Sequence, residues 1–179
     1  MDRLPGDHQG AVDDLTAALQ QDPNIADAYF ARGLAYASLK QFERAVADYT
    51  EVIRLQPNSS QAYCNRGVAR TRLGDYKGAI EDCTQAIKLA PDHWGPYYSR
   101  ARARAFLGDD RGAVVDFDQA IELHASDPNV WRDRGIIREK VGDREGARAD
   151  YQQAAAMYRQ IGDTAQEQEM QNRLKALQP

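Results

Sequence analysis

The chain has 179 residues, of which 42% are hydrophobic and 28% charged, with a formal net charge of −4 and an isoelectric point of about 5.4. This mildly acidic balance argues against a general affinity for nucleic acid or for an anionic membrane. No apolar run approaches the roughly 18 residues that cross a bilayer. The first ten residues also lack the apolar stretch of a secretory signal, so we expect a cytoplasmic location without membrane contact.

One interval of 34 residues organises the sequence. Small residues stand at this spacing at Gly33, Gly67, Ala101 and Gly135. Three further columns keep the interval: Tyr29, Tyr63, Tyr97 and Trp131; Ala45, Ala79, Ala113 and Ala147; and Tyr49, Cys83, Phe117 and Tyr151. A small residue in mid-helix at this period predicts pairs of helices that cross closely. The large residues then fill the space around each crossing.

In chain order, this register predicts ten helices. The chain opens at about 7–25 with a second helix that has no first helix before it. Four helix pairs follow, at about 26–59, 60–93, 94–127 and 128–161. The segment 162–179 supplies a last helix that is apolar on one side and polar on the other. A stack of repeats needs such a helix to cover its final hydrophobic face.

The expected helix ends carry residues that stop or start helices. Proline closes the early pairs at positions 23, 57 and 91, because it lacks a backbone N–H and disfavours helix in the residue before it. Inside the later pairs a Gly-Asp step provides a left-handed residue and then a helix cap. These steps are Gly74-Asp75, Gly108-Asp109 and Gly142-Asp143. In the first pair Lys40-Gln41 stands there instead, which predicts a less well specified turn.

The columns resemble the tetratricopeptide repeat, whose pattern is W-x2-L-G-x2-Y…A-x3-F…P, and the resemblance covers nearly the whole chain. The variant from Tyr63 to Asp82 is similar to repeats common in bacterial and photosynthetic-organelle proteins. The resemblance implies an all-α fold: a right-handed α-solenoid of tandem helix–turn–helix units with a C-terminal capping helix. It also implies that the first helices line a concave groove for a peptide or a partner's helix.

Two charged columns accompany the repeat. Arginines stand at Arg32, Arg66, Arg100 and Arg134, and aspartates at Asp48, Asp82, Asp116 and Asp150. One interpretation is a ladder of arginines for an anionic ligand; the other is a set of structural ion pairs repeated with the scaffold. Because a ligand needs no 34-residue regularity and the scaffold does, the sequence favours structural pairs.

The groove positions are implied by the resemblance. Carried over residue by residue, they are Phe30, Leu34, Asn65, Val68, Arg72, Tyr98, Arg102, Phe106 and Arg132, with Cys64, Ile136 and Lys140 beside them. Aromatic and aliphatic side chains among arginines are typical of peptide-binding surfaces. The alternative is that some of these aromatic side chains pack on neighbouring units.

Some members of the family bind the C-terminal peptides of heat-shock chaperones with a two-carboxylate clamp. Asn65 matches one of the clamp's five residues, but Phe30, Leu34, Gly95 and Ser99 occupy the other four positions. We therefore expect no chaperone clamp.

Catalytic and metal-binding motifs are missing from the sequence. It contains no HExxH, GxSxG, phosphate loop or CxxC pair, and its three histidines are far apart. Cys64 and Cys83 fall at non-equivalent positions of different helices and predict free thiols in a reducing compartment. We expect no enzyme activity, no cofactor and no metal.

The leading functional hypothesis is a non-catalytic module that binds a protein or peptide partner in its groove. One alternative is an RNA-binding helical repeat, in which arginines such as Arg72, Arg102 and Arg132 would follow the phosphates; net acidity weighs against it. Another is an assembly module.

The open N-terminal helix bears on that last alternative. We expect it to expose a stripe of Val12, Leu15, Ala18 and Leu19 that docks on upstream sequence or on a second copy as a homodimer.

Overall fold

The computed structural model of the protein describes residues 7–177. Within this range it consists of ten α-helices and contains no strand. In chain order they are α1 His8–Gln21, α2 Ala26–Ser38, α3 Phe42–Leu55, α4 Ser60–Leu73, α5 Tyr76–Leu89, α6 Trp94–Phe106, α7 Asp110–Leu123, α8 Pro128–Lys140, α9 Arg144–Gln160 and α10 Thr164–Ala176. The prediction of an all-α chain of tandem helical hairpins with one leading and one closing helix is confirmed. The predictions for the first six and last two residues lie outside the described part.

The chain divides into two compact units, residues 1–91 and 92–179. In the first unit α1 packs on α2, and two hairpins follow, α2 with α3 and α4 with α5. In the second unit the hairpins are α6 with α7 and α8 with α9, and α10 packs on α9. The interpretation of 1–179 as one continuous stack with the boundaries given above stays a prediction.

The hairpin turns at the Gly-Asp steps have the predicted geometry, a left-handed glycine followed by an aspartate that caps the next helix. Gly74 has a φ of +83°, and the side chain of Asp75 then accepts a hydrogen bond from the Gly78 N–H. Left-handed backbone favours glycine because a Cβ clashes there. The same cap opens α7, α9 and α10 from Asp109, Asp143 and Asp163.

The first hairpin closes through the same turn without the glycine. Lys40 adopts a φ of +59°, and the Gln41 N–H donates to the Tyr36 carbonyl at 2.8 Å, as the Asp75 N–H does to Arg70 at 2.9 Å. The turn thus has the same backbone geometry, and its weaker specification stays a prediction. Two local features agree with that prediction: Lys40 adopts a backbone conformation that is costly for a residue with a Cβ, and Gln41 makes no side-chain cap bond.

The small columns lie where helices cross. The four alanines of the Ala45 column are fully buried. A Cβ placed on Gly33 would lie 2.8 Å from the ring of Tyr49, and one on Gly135 would lie 2.8 Å from the ring of Tyr151. Real Cβ contacts of that length do not occur, so the crossing needs a residue without a side chain or a shifted ring.

The apolar stripe of α1 is not bare as expected. Val12 and Leu19 are buried, and Leu15 and Ala18 are half-buried. The expectation of four exposed residues is therefore wrong for Val12 and Leu19, because α2 packs on α1 and covers part of the stripe. No helix between residues 7 and 177 combines the length and the apolar character that crossing a bilayer requires.

A candidate peptide-binding pocket in the second unit

The charged columns meet in pairs. Each arginine makes a bidentate ion pair with the aspartate 16 residues later: Arg32–Asp48, Arg66–Asp82, Arg100–Asp116 and Arg134–Asp150. The Nε–Oδ2 distances lie between 2.8 and 3.0 Å and the Nη2–Oδ1 distances between 2.6 and 2.7 Å. All four carboxylates are buried. The hydrogen bonds to Asp48 raise the pKa of Arg32 above its usual value. This geometry favours the structural interpretation of the columns over a ladder for an anionic ligand.

A second arginine joins three of the four pairs. These additional contacts are Arg70–Asp82 at 3.0 Å, Arg104–Asp116 at 2.9 Å and Arg138–Asp150 at 3.1 Å. In the first hairpin Tyr36 occupies the equivalent position. Among the described residues, Arg32 is therefore the one guanidinium that contacts Asp48.

The same arginines also reach the preceding helix. Arg32 of α2 donates to the Thr16 hydroxyl of α1 at 3.1 Å, and Arg66 of α4 donates to the Thr50 hydroxyl of α3 at 3.0 Å. In the second unit Arg134 of α8 contacts a carboxylate of α7, Asp118. Each such arginine thus joins the two helices of its own hairpin and the helix before them.

In the first unit, the expected groove residues have different environments. The ring of Phe30 packs against that of Tyr49, with centroids 5.8 Å apart, so Phe30 belongs partly to the core. Asn65 is half-buried. Leu34 and Val68 are 45% and 40% exposed, and Arg72 is exposed. These last three are available to a partner.

In the second unit, three of the expected groove residues, Arg102, Phe106 and Ile136, line a pocket of about 290 Å³, whereas Tyr98 and Arg132 lie outside its lining. The residues around it are Arg102, Ala105, Phe106, Phe117, Asp133, Ile136 and Ile137. Phe117 and Ile137 are buried, whereas Phe106 is 59% exposed. An exposed phenyl ring beside a buried apolar surface is what an anchoring side chain of a ligand covers.

The polar side of the pocket centres on Asp133. Its carboxylate accepts a hydrogen bond from the Tyr98 hydroxyl at 2.9 Å and pairs with Arg132 at 2.7 Å, while Arg102 lies 3.8 Å away. The guanidinium of Arg102 stacks over the Tyr98 ring, 5.7 Å from its centroid. Tyr98 itself packs against Phe117, with centroids 6.0 Å apart. Burial, aided by Asp133, raises the pKa of the Tyr98 hydroxyl, so it stays a hydrogen-bond donor.

Arg132 is engaged on the side of the closing helices. Besides Asp133, it donates to the Tyr158 hydroxyl of α9 and to Gln166 of α10, each at 3.1 Å. Burial alone would lower the pKa of Arg132, but the charge and hydrogen bond of Asp133 together with Tyr158 and Tyr98 outweigh it, and the pKa is raised. Arg132 thus connects α8 with α9 and α10, and its donors face protein groups.

Sequence reasoning missed Asp133 and the pocket floor. Asp133 stands two 34-residue intervals after Asn65, which was assigned to the groove, so the column itself pointed to this position. Phe117 and Ile137 gave no such signal, because their columns are core columns in every repeat. Asp133 also changes the electrostatics of this region, since it places an acid between Arg102 and Arg132, which were both assigned to the groove.

Comparisons with known proteins agree with this geometry. The tetratricopeptide repeat family model matches residues 26–59 and 60–93. No curated protein matches the chain.

Three solved structures illustrate the similarity of fold. MamA from Desulfovibrio magneticus RS-1, from residue 41 to its end, has a TM-score of 0.80 at 20% identity and covers 87% of this chain and 88% of that one. YrrB, a TPR protein with an unusual peptide-binding site, has a TM-score of 0.67 at 19% identity and 92% coverage of both chains. The first TPR of Spaghetti (RPAP3), bound to an HSP90 peptide, has a TM-score of 0.63 at 23% identity and covers 65% of this chain and 92% of that one.

At these identities the structural likeness speaks for the fold alone. The repeat columns, the hairpins closed at left-handed residues and the family match converge, and residues 26–59 and 60–93 are tetratricopeptide repeats.

Proposed function

We propose that the protein is a non-catalytic interaction module that binds a peptide segment of a partner protein in the pocket between α6, α7 and α8. The observation that carries this proposal is the juxtaposition of exposed Phe106 with a buried apolar floor and a polar rim of Arg102 and Asp133. Isolated exposed apolar residues are ordinary on protein surfaces, but an apolar depression with a few convergent polar groups is the usual form of a ligand site. Two proteins of similar fold, YrrB with its unusual peptide-binding site and Spaghetti bound to an HSP90 peptide, support the same class of function.

The size of the pocket limits the ligand. Pockets for drug-sized molecules run from about 300 to 1,000 Å³, and this one is at the lower end. It therefore suits one large side chain of a peptide rather than a cofactor. We infer that most of a partner's contact area lies on the flanking first-helix surfaces, with the pocket as its anchor.

The RNA-binding alternative receives no support from the site. Arg132 pairs with Asp133 at 2.7 Å, so of these two arginines Arg102 is the one with donors left for a phosphate, and a single cation does not follow a phosphate backbone. Homodimerisation through α1, the lack of a chaperone clamp and a cytoplasmic location remain predictions from sequence. The clamp prediction is tested directly by titration with the peptide SRMEEVD, for which we expect no saturable binding.

Selection from a phage-displayed library of random peptides tests the proposed function. We expect immobilised wild-type protein to enrich a defined family of sequences and the Phe106→Gln variant to lose them. Val115→Gln is the matched control, because Val115 lies on α7 of the same unit, is 64% exposed and does not line the pocket. Both variants change an exposed side chain, so circular dichroism and urea unfolding should match wild type. Equal enrichment by Phe106→Gln and wild type would overturn the proposal.

A further inference from the structure

The polar rim of the pocket has a definite charge. Arg102 and Asp133 line the pocket, and Arg132 pairs with Asp133 from the side of α9 and α10, so these three side chains together carry a net charge of about +1 at neutral pH. This local excess stands out in a chain whose formal net charge is −4. A ligand group placed at this rim is therefore favoured if it is an anion.

The members of the cluster differ in how fully their hydrogen-bonding capacity is used. One oxygen of Asp133 accepts from Tyr98 and the other from Arg132 at 2.9 Å. Arg102 lies 3.8 Å from Asp133, beyond hydrogen-bond distance, and is held by the face of Tyr98. Its guanidinium has five donors in a planar fork, and its side chain is 34% exposed. Arg102 is thus a preoriented cation with donors left for a ligand.

The spacing along α6 sets the distance between the two binding points. Arg102 and Phe106 are four residues apart on one helix, which places their Cα atoms about 6 Å apart on the same face. In an extended peptide, residues two apart point to the same side at about 6.6 Å. A helical ligand would match the distance at i and i+4, but helix-in-groove recognition uses several apolar anchors over about two turns. The pocket holds one anchor, which favours an extended segment.

We propose that the pocket recognises an extended peptide segment in which a large apolar residue is followed or preceded, two positions away, by aspartate or glutamate. The apolar side chain covers Phe106 and contacts Phe117 and Ile137, and the carboxylate receives donors from Arg102. This inference rests on the proposed function and names the chemistry of its partner. It makes Arg102 the residue that determines specificity.

Titrations with matched peptides followed by ¹H–¹⁵N NMR test the inference. The probes are Gly/Ser decapeptides that contain Phe-Ser-Glu, Phe-Ser-Gln, Phe-Ser-Ser-Ser-Glu or Ser-Ser-Glu. We expect Phe-Ser-Glu to bind about five- to tenfold more tightly than Phe-Ser-Gln, as one charge-assisted hydrogen-bonded pair provides. The amide of Ala105 and the Nε–H of Arg102 should report the binding.

Two variants separate the local contact from general electrostatics. Arg102→Gln should bind Phe-Ser-Glu and Phe-Ser-Gln equally well. Arg111→Gln removes a positive charge from the exposed surface of α7 in the same unit, at a residue that does not line the pocket, and should keep the preference.

Each of the remaining outcomes would contradict the inference, one of its parts or the proposed function. Equal affinity of wild type for the Glu and Gln peptides overturns the inference and leaves the proposed function standing. A preference that survives Arg102→Gln overturns the role of Arg102, and tighter binding of Phe-Ser-Ser-Ser-Glu overturns the extended register. If no Phe-containing peptide shifts the pocket resonances at millimolar concentration, the proposed function fails together with the inference.

Discussion

The number of arginines around each buried aspartate predicts an unequal response to the same substitution. Arg32→Met removes the one described guanidinium that contacts Asp48, whereas Arg66→Met leaves Asp82 with Arg70 at 3.0 Å. Methionine keeps most of the apolar stem, so the difference between the variants reports the charge rather than the packing. Arg32→Met should therefore be the more destabilising substitution.

The magnitudes follow from the burial of the carboxylates. The side chains of Asp48 and Asp82 are 6% and 4% exposed, so both lie in nearly the same environment. Breaking a buried pair and leaving an uncompensated charge costs about 3–5 kcal/mol in free energy of unfolding. Loss of hydrogen bonds to a charged group that keeps another partner costs about 1.5–3 kcal/mol. We expect the two variants to differ by about 1.5 kcal/mol or more.

Urea unfolding followed by circular dichroism measures both variants against wild type. A double-mutant cycle gives the control: Tyr36→Arg introduces the second arginine that the other hairpins carry, and should restore part of the stability of Arg32→Met. Asp48→Asn in the Arg32→Met background should also recover stability, because it removes the buried charge. Equal losses for Arg32→Met and Arg66→Met, with no coupling to Tyr36→Arg, would refute the reasoning that Asp48 depends on a single cation.

Three further predictions concern the turn, the tyrosines and α1. Lys40→Gly should raise the free energy of unfolding by about 1 kcal/mol, since φ at this position is +59°; Lys40→Ala, which keeps a Cβ, should not. Burial raises the pKa of Tyr49, Tyr98 and Tyr151. Because unfolded tyrosine ionises near pH 10, the stability that these three neutral tyrosines contribute is present below about pH 10 and is lost as the pH rises above it. Phenolate absorbance from these three side chains should therefore appear only together with loss of helicity. One early transition for all nine tyrosines would contradict this. Finally, light scattering should show a dimer that Leu15→Glu dissociates, and a wild-type monomer at high micromolar concentration excludes the N-terminal homodimer.

Much of the fold could be predicted from the sequence because its determinants are local and repeated. A glycine that must adopt positive φ, an aspartate that caps the next helix and a small residue at a crossing each act over a few residues, and the 34-residue interval shows each of them several times. Helix positions followed directly. The Lys40 turn shows the limit of this reasoning, because the chain adopts the same turn geometry there although the local residue preference opposes it.

The candidate site could be predicted only in part. Phe106 and Arg102 were assigned to the groove from their place in the repeat, and the structure lines one pocket with both. The contacts of Arg132 could not be assigned, because they depend on α9 and α10 coming close to α8. The column of Asn65 pointed to Asp133, but its contacts with Tyr98 and Arg102 depend on α6 coming close to α8. A column places a side chain on a helix face but does not say which neighbouring side chain meets it.

The sequence by itself thus determined the helices, their turns and the columns that hold each hairpin together, since these rest on backbone preference and periodic sterics. Only the tertiary structure decided which charges cancel and which apolar residues stay exposed. Asp133 neutralises one of two arginines that looked free, and α2 covers Val12 and Leu19 of a stripe that looked bare. Both outcomes depend on which side chains come within a few ångströms of one another, because dispersion contacts act only at that range and the attraction between charges weakens with distance.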